Sequence, residues 1–460
     1  MGSQNEDNAA HDFGAAFVVH VAFAGDERLR SANARLEEAC GLAEAINLNV
    51  ARREVATVTQ PRPSTLIGGG RVAQIREQLD AADPRPGLVI VDAALSPVQH
   101  RNLENEWNAK VLDRTGLILE IFGARAHTAE GRLQVDLAHL SYQKSRLVRS
   151  WTHLERQRGG GGFLGGPGER QIESDRRAIQ EKIDRLKNRL ERVRRTRSLQ
   201  RAKRKKAPHP VVALVGYTNA GKSTLFNRMT KSAVVARDQL FATLDPTMRA
   251  VDLPSGQRVI LSDTVGFISD LPTQLIAAFR ATLEEVNEAD LLLHVRDASH
   301  EDSDAQRADV ISVLKELGVD AESSTPVIEV LNKIDLLNPE DRLALSAIAR
   351  LTHDCATLSI DEPVKVCVSA VTGEGMPTML ELVDRVLTAD RSSFIIELAA
   401  GNGAARAWLH ANGDVREESA LDDIVRFEVR LTDKARGQFQ KLYAEAKITT
   451  QSADSARLSA

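Results

Sequence analysis

Residues 211–224 read Val-Val-Ala-Leu-Val-Gly-Tyr-Thr-Asn-Ala-Gly-Lys-Ser-Thr, an apolar β-branched run broken by glycine, and apolar positions resume at helical spacing with Leu225, Phe226 and Met229. The run reads as a buried parallel strand and the stretch from Thr224 onward as a helix, so the loop lies where strand passes to helix and the chain is committed to an α/β fold. Gly216 and Gly221 let backbone N–H groups turn inward at the helix amino terminus, which attracts anions. Lys222 adds a point charge for β- and γ-phosphate oxygens, and the Ser223 hydroxyl can ligate Mg²⁺. Residues 216–223 (Gly216, Tyr217, Thr218, Asn219, Ala220, Gly221, Lys222, Ser223) are thus a candidate phosphate-binding loop.

Four further segments fit a nucleotide switch. About twenty residues past Lys222 comes Leu240-Phe241-Ala242-Thr243-Leu244-Asp245-Pro246, where a loop can return over a γ-phosphate. Thr243 is the candidate for Mg²⁺ and γ-phosphate, with Thr247 as rival. A strand over 258–262 delivers Asp263-Thr264-Val265-Gly266: Asp263 would hold Mg²⁺ through water, and the Gly266 N–H would touch the γ-phosphate, so that losing the phosphate releases both loops. A buried strand over 327–331 ends in Asn332-Lys333-Ile334-Asp335, and the Asp335 carboxylate can accept two hydrogen bonds from N1–H and the 2-amino group of guanine. Adenine offers no such donor pair, and the unpaired carboxylate makes the wrong base costly. Ser369-Ala370-Val371, after a strand over 365–368, can offer an N–H to guanine O6. Four such elements, each at the carboxyl end of an apolar strand, mark the ligand crevice of an open α/β sheet. The expected substrate and product are GTP and GDP, with Mg²⁺ as cofactor and Lys222, Thr243 and Gly266 as the catalytic set.

Upstream, strands over 17–23, 54–59, 87–92 and 110–113 alternate with helices over 28–48, 73–79 and 98–107, which predicts a first α/β domain with a parallel sheet. Helices over 115–122 and 132–151 then carry the chain to residues 158–168, Arg-Gly-Gly-Gly-Gly-Phe-Leu-Gly-Gly-Pro-Gly, which cannot form regular structure at ordinary cost. This segment is either a linker or a loop whose backbone meets a phosphate-rich partner. Residues 170–206 hold 16 Lys/Arg against 5 Asp/Glu, a net of +11 in a chain whose total is −4. Ile179, Ile183, Leu186, Leu190 and Val193 form a heptad seam there, with Leu133, Leu137, Leu140 and Leu147 as its partner face, so the spacing predicts an αα-hairpin tipped by the glycine loop. One-sided positive charge is the footprint of nucleic-acid backbone binding.

The Asn219-Ala220 loop, Phe-Ala-Thr-Leu-Asp at 241–245, Asp-Thr-Val-Gly-Phe at 263–267 and Gly-Pro-Gly-Glu…Asp-Arg-Arg within 166–177 together resemble the HflX family of ribosome-associated GTPases. The resemblance extends over most of the chain, through 65–70, 113–116, 130–137 and the glycine loop. It implies a GTPase that binds the large ribosomal subunit and its rRNA through the basic hairpin and glycine loop, and that splits or recycles stalled or hibernating ribosomes under stress. The alternative is a GTP-gated RNA chaperone or ribosome-assembly factor in which hydrolysis is incidental. Phe267 stands where many switch GTPases place a water-orienting glutamine, so intrinsic hydrolysis is expected to be slow and to be completed by another group, with stimulation by the ribosome.

The resulting organisation is a tail (1–12), an amino-terminal α/β domain (13–127), the basic hairpin with its tip at 158–168 (128–207), a Ras-like GTP-binding domain (208–390), a small carboxyl-terminal α/β domain (391–450) of strand, helix, strand and helix, and a tail (451–460). No stretch of about 18 uncharged apolar residues is present, and 1–11 carries Glu6 and Asp7 without an apolar core segment, so neither membrane insertion nor secretion is expected. Cys40, Cys355 and Cys367 fit no metal spacing and suit a reducing cytosol. A cytoplasmic monomer is expected, associated with the ribosome or a membrane surface.

Overall fold

A computed structural model of the chain describes residues 15–25, 30–126, 128–157, 167–204, 209–231, 241, 247–269, 286–319, 325–353, 359–389, 391–421 and 423–450. Three sheets organise it. The first has the order β2-β1-β3-β4 and is wholly parallel, built from β1 (Ala15–Phe23), β2 (Asn49–Val58), β3 (Leu88–Asp92) and β4 (Lys110–Asp113). Its strands are joined by α1 (Ala32–Glu44), α2 (Gly69–Asp80) and α3 (Pro97–Trp107). β3 is buried along its whole length, as a parallel strand covered on both faces must be. Local chemistry sets the helix starts: Ser96 and Gln99 form a reciprocal capping box with Pro97 in the first turn of α3. Asp113 caps α4 (Arg114–Arg125), accepting from Gly116 N.

The expected hairpin is present as α5 (Ala129–Gln157) packed on α6 (Pro167–Arg204). Ile183 and Leu190 of α6 and Leu133, Val135 and Ala138 of α5 are buried. Much of the glycine-rich segment lies outside the described residues, as does the Leu147 side chain. α5 is tied to the first sheet through Asp113, which accepts from the Tyr142 hydroxyl at 2.5 Å and from Arg146 Nη2 at 2.7 Å.

The second sheet has the order β10-β9-β8-β5-β7-β6. It comprises β5 (Val211–Gly216), β6 (Thr247–Asp252), β7 (Arg258–Asp263), β8 (Leu291–Asp297), β9 (Val327–Asn332) and β10 (Val364–Cys367), all parallel except the edge strand β6. Helices α7 (Lys222–Thr230), α8 (Ser303–Glu316), α9 (Pro339–Thr352) and α10 (Met376–Thr388) belong to this part of the chain. One apolar cluster runs from the first sheet's helices into the second sheet, joining Ile118 and Phe122 of α4 to Val215, Val265 and Phe267.

The third sheet differs from expectation. It is antiparallel with order β12-β13-β11-β14, from β11 (Arg391–Ala399), β12 (Asp414–Leu421), β13 (Ile424–Thr432) and β14 (Lys447–Thr450), with α11 (Gly403–Asn412) and α12 (Asp433–Leu442). Its core holds Phe394, Phe427 and Phe439. Strands β6, β8, β12 and β14 add to those read from the sequence. Thr247, the rival switch threonine, begins β6 opposite Asp263. Among the described residues no helix is long and apolar enough to cross a membrane.

Candidate nucleotide site

The crevice opens at the carboxyl ends of β5, β7 and β9. Gly216 adopts φ 149°, and a β-carbon there would collide with the Val295 carbonyl; Gly221 adopts φ 91° against the Asn332 amide. Both positions therefore exclude a side chain, the first for strand packing and the second for closure of the loop on the base-side segment. Lys222 opens α7 and is buried; its Nζ donates to the carbonyls of Gly216 at 3.0 Å and Tyr217 at 2.7 Å. Burial pushes its pKa down to about 8, with the Asp263 carboxylate pulling the other way. Ser223 Oγ donates to Asp263 Oδ2 at 2.8 Å, which puts hydroxyl and carboxylate together as the Mg²⁺ reading requires.

Thr264 donates its hydroxyl to the Leu214 carbonyl at 2.6 Å, bracing β7 on β5. Beyond it the chain zips onto the phosphate loop. Thr218 N donates to Phe267 O at 2.7 Å and Phe267 N to Gly216 O at 3.1 Å. Gly266 lies so close that a β-carbon there would sit 2.9 Å from Thr218 Cγ2 and 3.0 Å from Lys222 Nζ. Val265 and Phe267 are buried in the apolar cluster, so the phenyl ring occupies core and not crevice.

On the base side, Asn332 links two loops: its Nδ2 donates to Ala220 O at 2.9 Å, and its Oδ1 accepts from Ala370 N at 3.0 Å. Lys333, at φ 64°, pairs with Asp297 at 2.8 Å. Ile334 is buried, and Asp335 stands in the short 3₁₀ turn Ile334–Leu336 with Oδ1 buried and without a protein partner among the described residues. Ser369 is buried, whereas Val371 is 69% exposed and contributes its carbonyl to Arg228. Of the segment 241–245, only Phe241 is described; it is buried edge-on to Phe122 of α4, ring centroids 4.7 Å apart. Ala242, Thr243, Leu244 and Asp245 lie outside the described residues.

Sequence reasoning missed a charged junction that abuts this site. Glu38 of α1 accepts from Arg114 Nη2 at 2.5 Å and Ser269 Oγ at 2.9 Å through Oε1, and from the Tyr217 hydroxyl at 2.7 Å and Arg30 Nη1 at 2.8 Å through Oε2. Arg114 also donates to Asp92 at 2.5 Å and to the Ser269 carbonyl at 2.9 Å, and Asp92 meets His20 Nδ1 at 2.6 Å. Ser269 N donates to the Tyr217 hydroxyl at 2.8 Å. Burial would raise the Asp92 carboxyl, yet Arg114 and His20 hold it at about 2. Asp92 and Arg114 each close or follow an apolar strand in sequence, but nothing local announces that residues 38, 114 and 269 meet.

Three family models match in succession: GTP-binding GTPase N-terminal at 33–123, GTP-binding GTPase Middle Region at 125–204 and 50S ribosome-binding GTPase at 211–333. GTPase HflX of Magnetococcus marinus is 48% identical over 405 residues, 88% of this chain and 90% of that protein, and GTPase HflX of Escherichia coli K12 is 41% identical over 417, 90% and 93%. The chain belongs to the HflX family of GTPases. A GTP-binding protein of Sulfolobus solfataricus solved with GDP is 23% identical, with a TM-score of 0.43 over 82% of this chain and 99% of that one. As an HflX-family member the chain binds GTP and GDP and hydrolyses GTP.

Proposed function

We propose that this GTPase acts on the large ribosomal subunit, using GTP binding and hydrolysis to split or recycle stalled or hibernating ribosomes in the cytoplasm, and that it works as a monomer. The observation that carries this reading is the hairpin. Lys182, Arg185, Lys187, Arg189, Arg192 and Arg195 are exposed on α6, while Ile183 and Leu190 are buried, so the outer face presents charge suited to rRNA phosphates. The family model over 211–333 bears the description 50S ribosome-binding GTPase, which supports the same partner.

At the crevice, residues 216–223 cradle the phosphates, Lys222 and the Gly266 N–H meet the γ-phosphate, and Asp335 reads guanine with help from the 369–371 loop. Ser223 and Thr243 would hold Mg²⁺ directly and Asp263 through water, and the ion would supply positive charge to the β- and γ-oxygens. The Asp335 oxygen without a partner and the Ser223–Asp263 pair fit this ligand set.

The test measures GTP turnover by the purified chain alone, with 50S subunits and with 70S ribosomes, beside a variant whose Arg and Lys residues within 185–197 are replaced by Glu. Stimulation that the variant loses, with subunit separation seen by light scattering, is the expected result. Unstimulated turnover and unchanged ribosome association of the variant would overturn the ribosome reading. Stimulated association without separation would favour the assembly-factor alternative.

A further inference from the structure

The Phe267 ring is 2% exposed and packed in the core beside Tyr217 and Val265, and its backbone is held on both sides by the phosphate loop. It cannot swing out to orient a water without breaking those bonds and uncovering apolar surface. Gly266 has no side chain and no room for one. Asn219, the next loop residue toward solvent, is exposed at φ 61°. That leaves Thr218. It is 5% exposed, and its hydroxyl is buried with no hydrogen-bond partner among the described residues. Its methyl and α-carbon lie against Gly266, 2.9 and 3.0 Å from the position a β-carbon would take, and the hydroxyl branches from the same carbon as that methyl. Lys222 Nζ borders the same space.

A buried hydroxyl left unpaired costs about 1–3 kcal/mol, so a water or phosphate oxygen that enters beside Gly266 and pairs with it would be favoured. We propose that Thr218 is a catalytic residue of this GTPase: its hydroxyl accepts a hydrogen bond from the attacking water and donates one to a γ-phosphate oxygen, the task that a glutamine at position 267 would perform. A hydroxyl suits both contacts, having one donor and two acceptor lone pairs. In the step itself the water oxygen bonds to the γ-phosphorus as the bond to the β–γ bridging oxygen breaks. The water's proton ends on the released phosphate and GDP leaves with the bridging oxygen, so Thr218 is unchanged. The inference rests on the placement of the γ-phosphate between Lys222 and Gly266 proposed above.

The test compares Thr218→Val, which keeps shape and removes the hydroxyl, with Thr218→Ser, which keeps the hydroxyl, in single-turnover GTP hydrolysis by the full chain, with GDP and GTP affinities measured alongside. Thr218→Val is expected to lose about 10²-fold in rate while its nucleotide affinities stay within about threefold, and Thr218→Ser to retain most of the rate. Thr218→Ala serves if the valine variant does not fold. A rate within twofold of the parent for the hydroxyl-less variant overturns the inference, as does a raised KM at unchanged kcat, which would make the hydroxyl a ground-state ligand only. Lys222→Ala separates the two claims: if it still binds nucleotide as the parent does, the phosphate-loop placement fails independently of Thr218.

Discussion

Two clusters of buried polar groups lie within one loop's length of each other, and they are built on opposite principles. In the junction of Glu38, Arg114, Asp92 and His20, both oxygens of each carboxylate meet protein donors, and both Arg114 terminal nitrogens meet protein acceptors. In the crevice, the Thr218 hydroxyl and one Asp335 oxygen are buried without protein partners among the described residues. A network in which the carboxylates and both terminal nitrogens of Arg114 meet one another fixes how two parts of the molecule sit, although Arg114 Nε has no hydrogen-bond partner among the described residues. Polar groups left open in a glycine-lined concavity define what must enter it. The contrast separates structure from function more sharply than burial or charge alone, since both clusters are buried and both are charged.

The largest effect expected from this contrast is at Asp335. Its replacement by Ala should raise the dissociation constant for GDP about 1000-fold, equivalent to about 4 kcal/mol, because the two guanine donors lose a charged acceptor, while thermal stability changes little. Asp335→Asn should recover binding for xanthine nucleotides, whose 2-oxo group accepts where guanine donates. Equilibrium titration with both diphosphates checks it, and undiminished GDP binding by the alanine variant would remove Asp335 from the crevice.

The junction should respond in stability and not in affinity. Arg114→Ala strands the Glu38 and Asp92 carboxylates in a dry site, and breaking a buried pair of this kind costs about 3 kcal/mol of folding stability. Denaturant titration reads it. A variant as stable as the parent would mean that water reaches the junction and that its closure is only apparent.

A smaller effect concerns acid. Asp92 is held at about 2 against an ordinary value of 3.8, burial opposing and Arg114 prevailing. A depressed carboxyl contributes stability that is present above the unfolded value and is lost as pH falls from about 4 toward 2. The shift corresponds to about 2 kcal/mol. Stability measured at pH 5 and pH 2.5 should show this loss in the parent and less of it in Asp92→Asn; equal losses would assign the acid sensitivity to other groups.

The two clusters also differ in how far the amino-acid sequence discloses them. The phosphate loop, Asp263-x-x-Gly266 and Asn332-Lys333-x-Asp335 are contiguous, because each forms at one strand end, where spacing along the chain equals spacing in the crevice. The first parallel sheet, most of the second and the hairpin were legible for a similar reason, since continuous apolar runs and a heptad seam are local patterns; β8 escaped because a short apolar run such as Leu291–Asp297 has no periodicity to tell strand from helix. The junction joins residues 20, 38, 92, 114, 217 and 269, and no local rule pairs them. Strands β12 and β14 escaped because an antiparallel sheet with an exposed face needs only alternate apolar residues, and Asp414–Leu421 reads as a charged segment. Thr218 was legible as part of the loop, but its unpartnered hydroxyl appears only once Phe267 is seen to be buried.

Ser269 tests whether the two clusters are energetically separate, since it lies three positions beyond Gly266 yet belongs by contact to the junction. Its hydroxyl donates to Glu38 at 2.9 Å, while its N–H and carbonyl keep the Tyr217 and Arg114 bonds through the backbone. Ser269→Ala therefore removes two hydrogen bonds, one to a carboxylate that retains three other donors and one accepted at 2.9 Å from Arg114 Nη2, which keeps Glu38 and the Ser269 carbonyl, a loss of about 1–2 kcal/mol. If the junction only fixes architecture, the variant should unfold slightly earlier and bind GDP as the parent does. A change in GDP affinity of more than about threefold would show that strain at the junction reaches Gly266 through three residues of backbone. In that case the additivity of Ser269→Ala with Thr218→Val in single-turnover hydrolysis would measure how much of the γ-phosphate geometry is set from the first sheet.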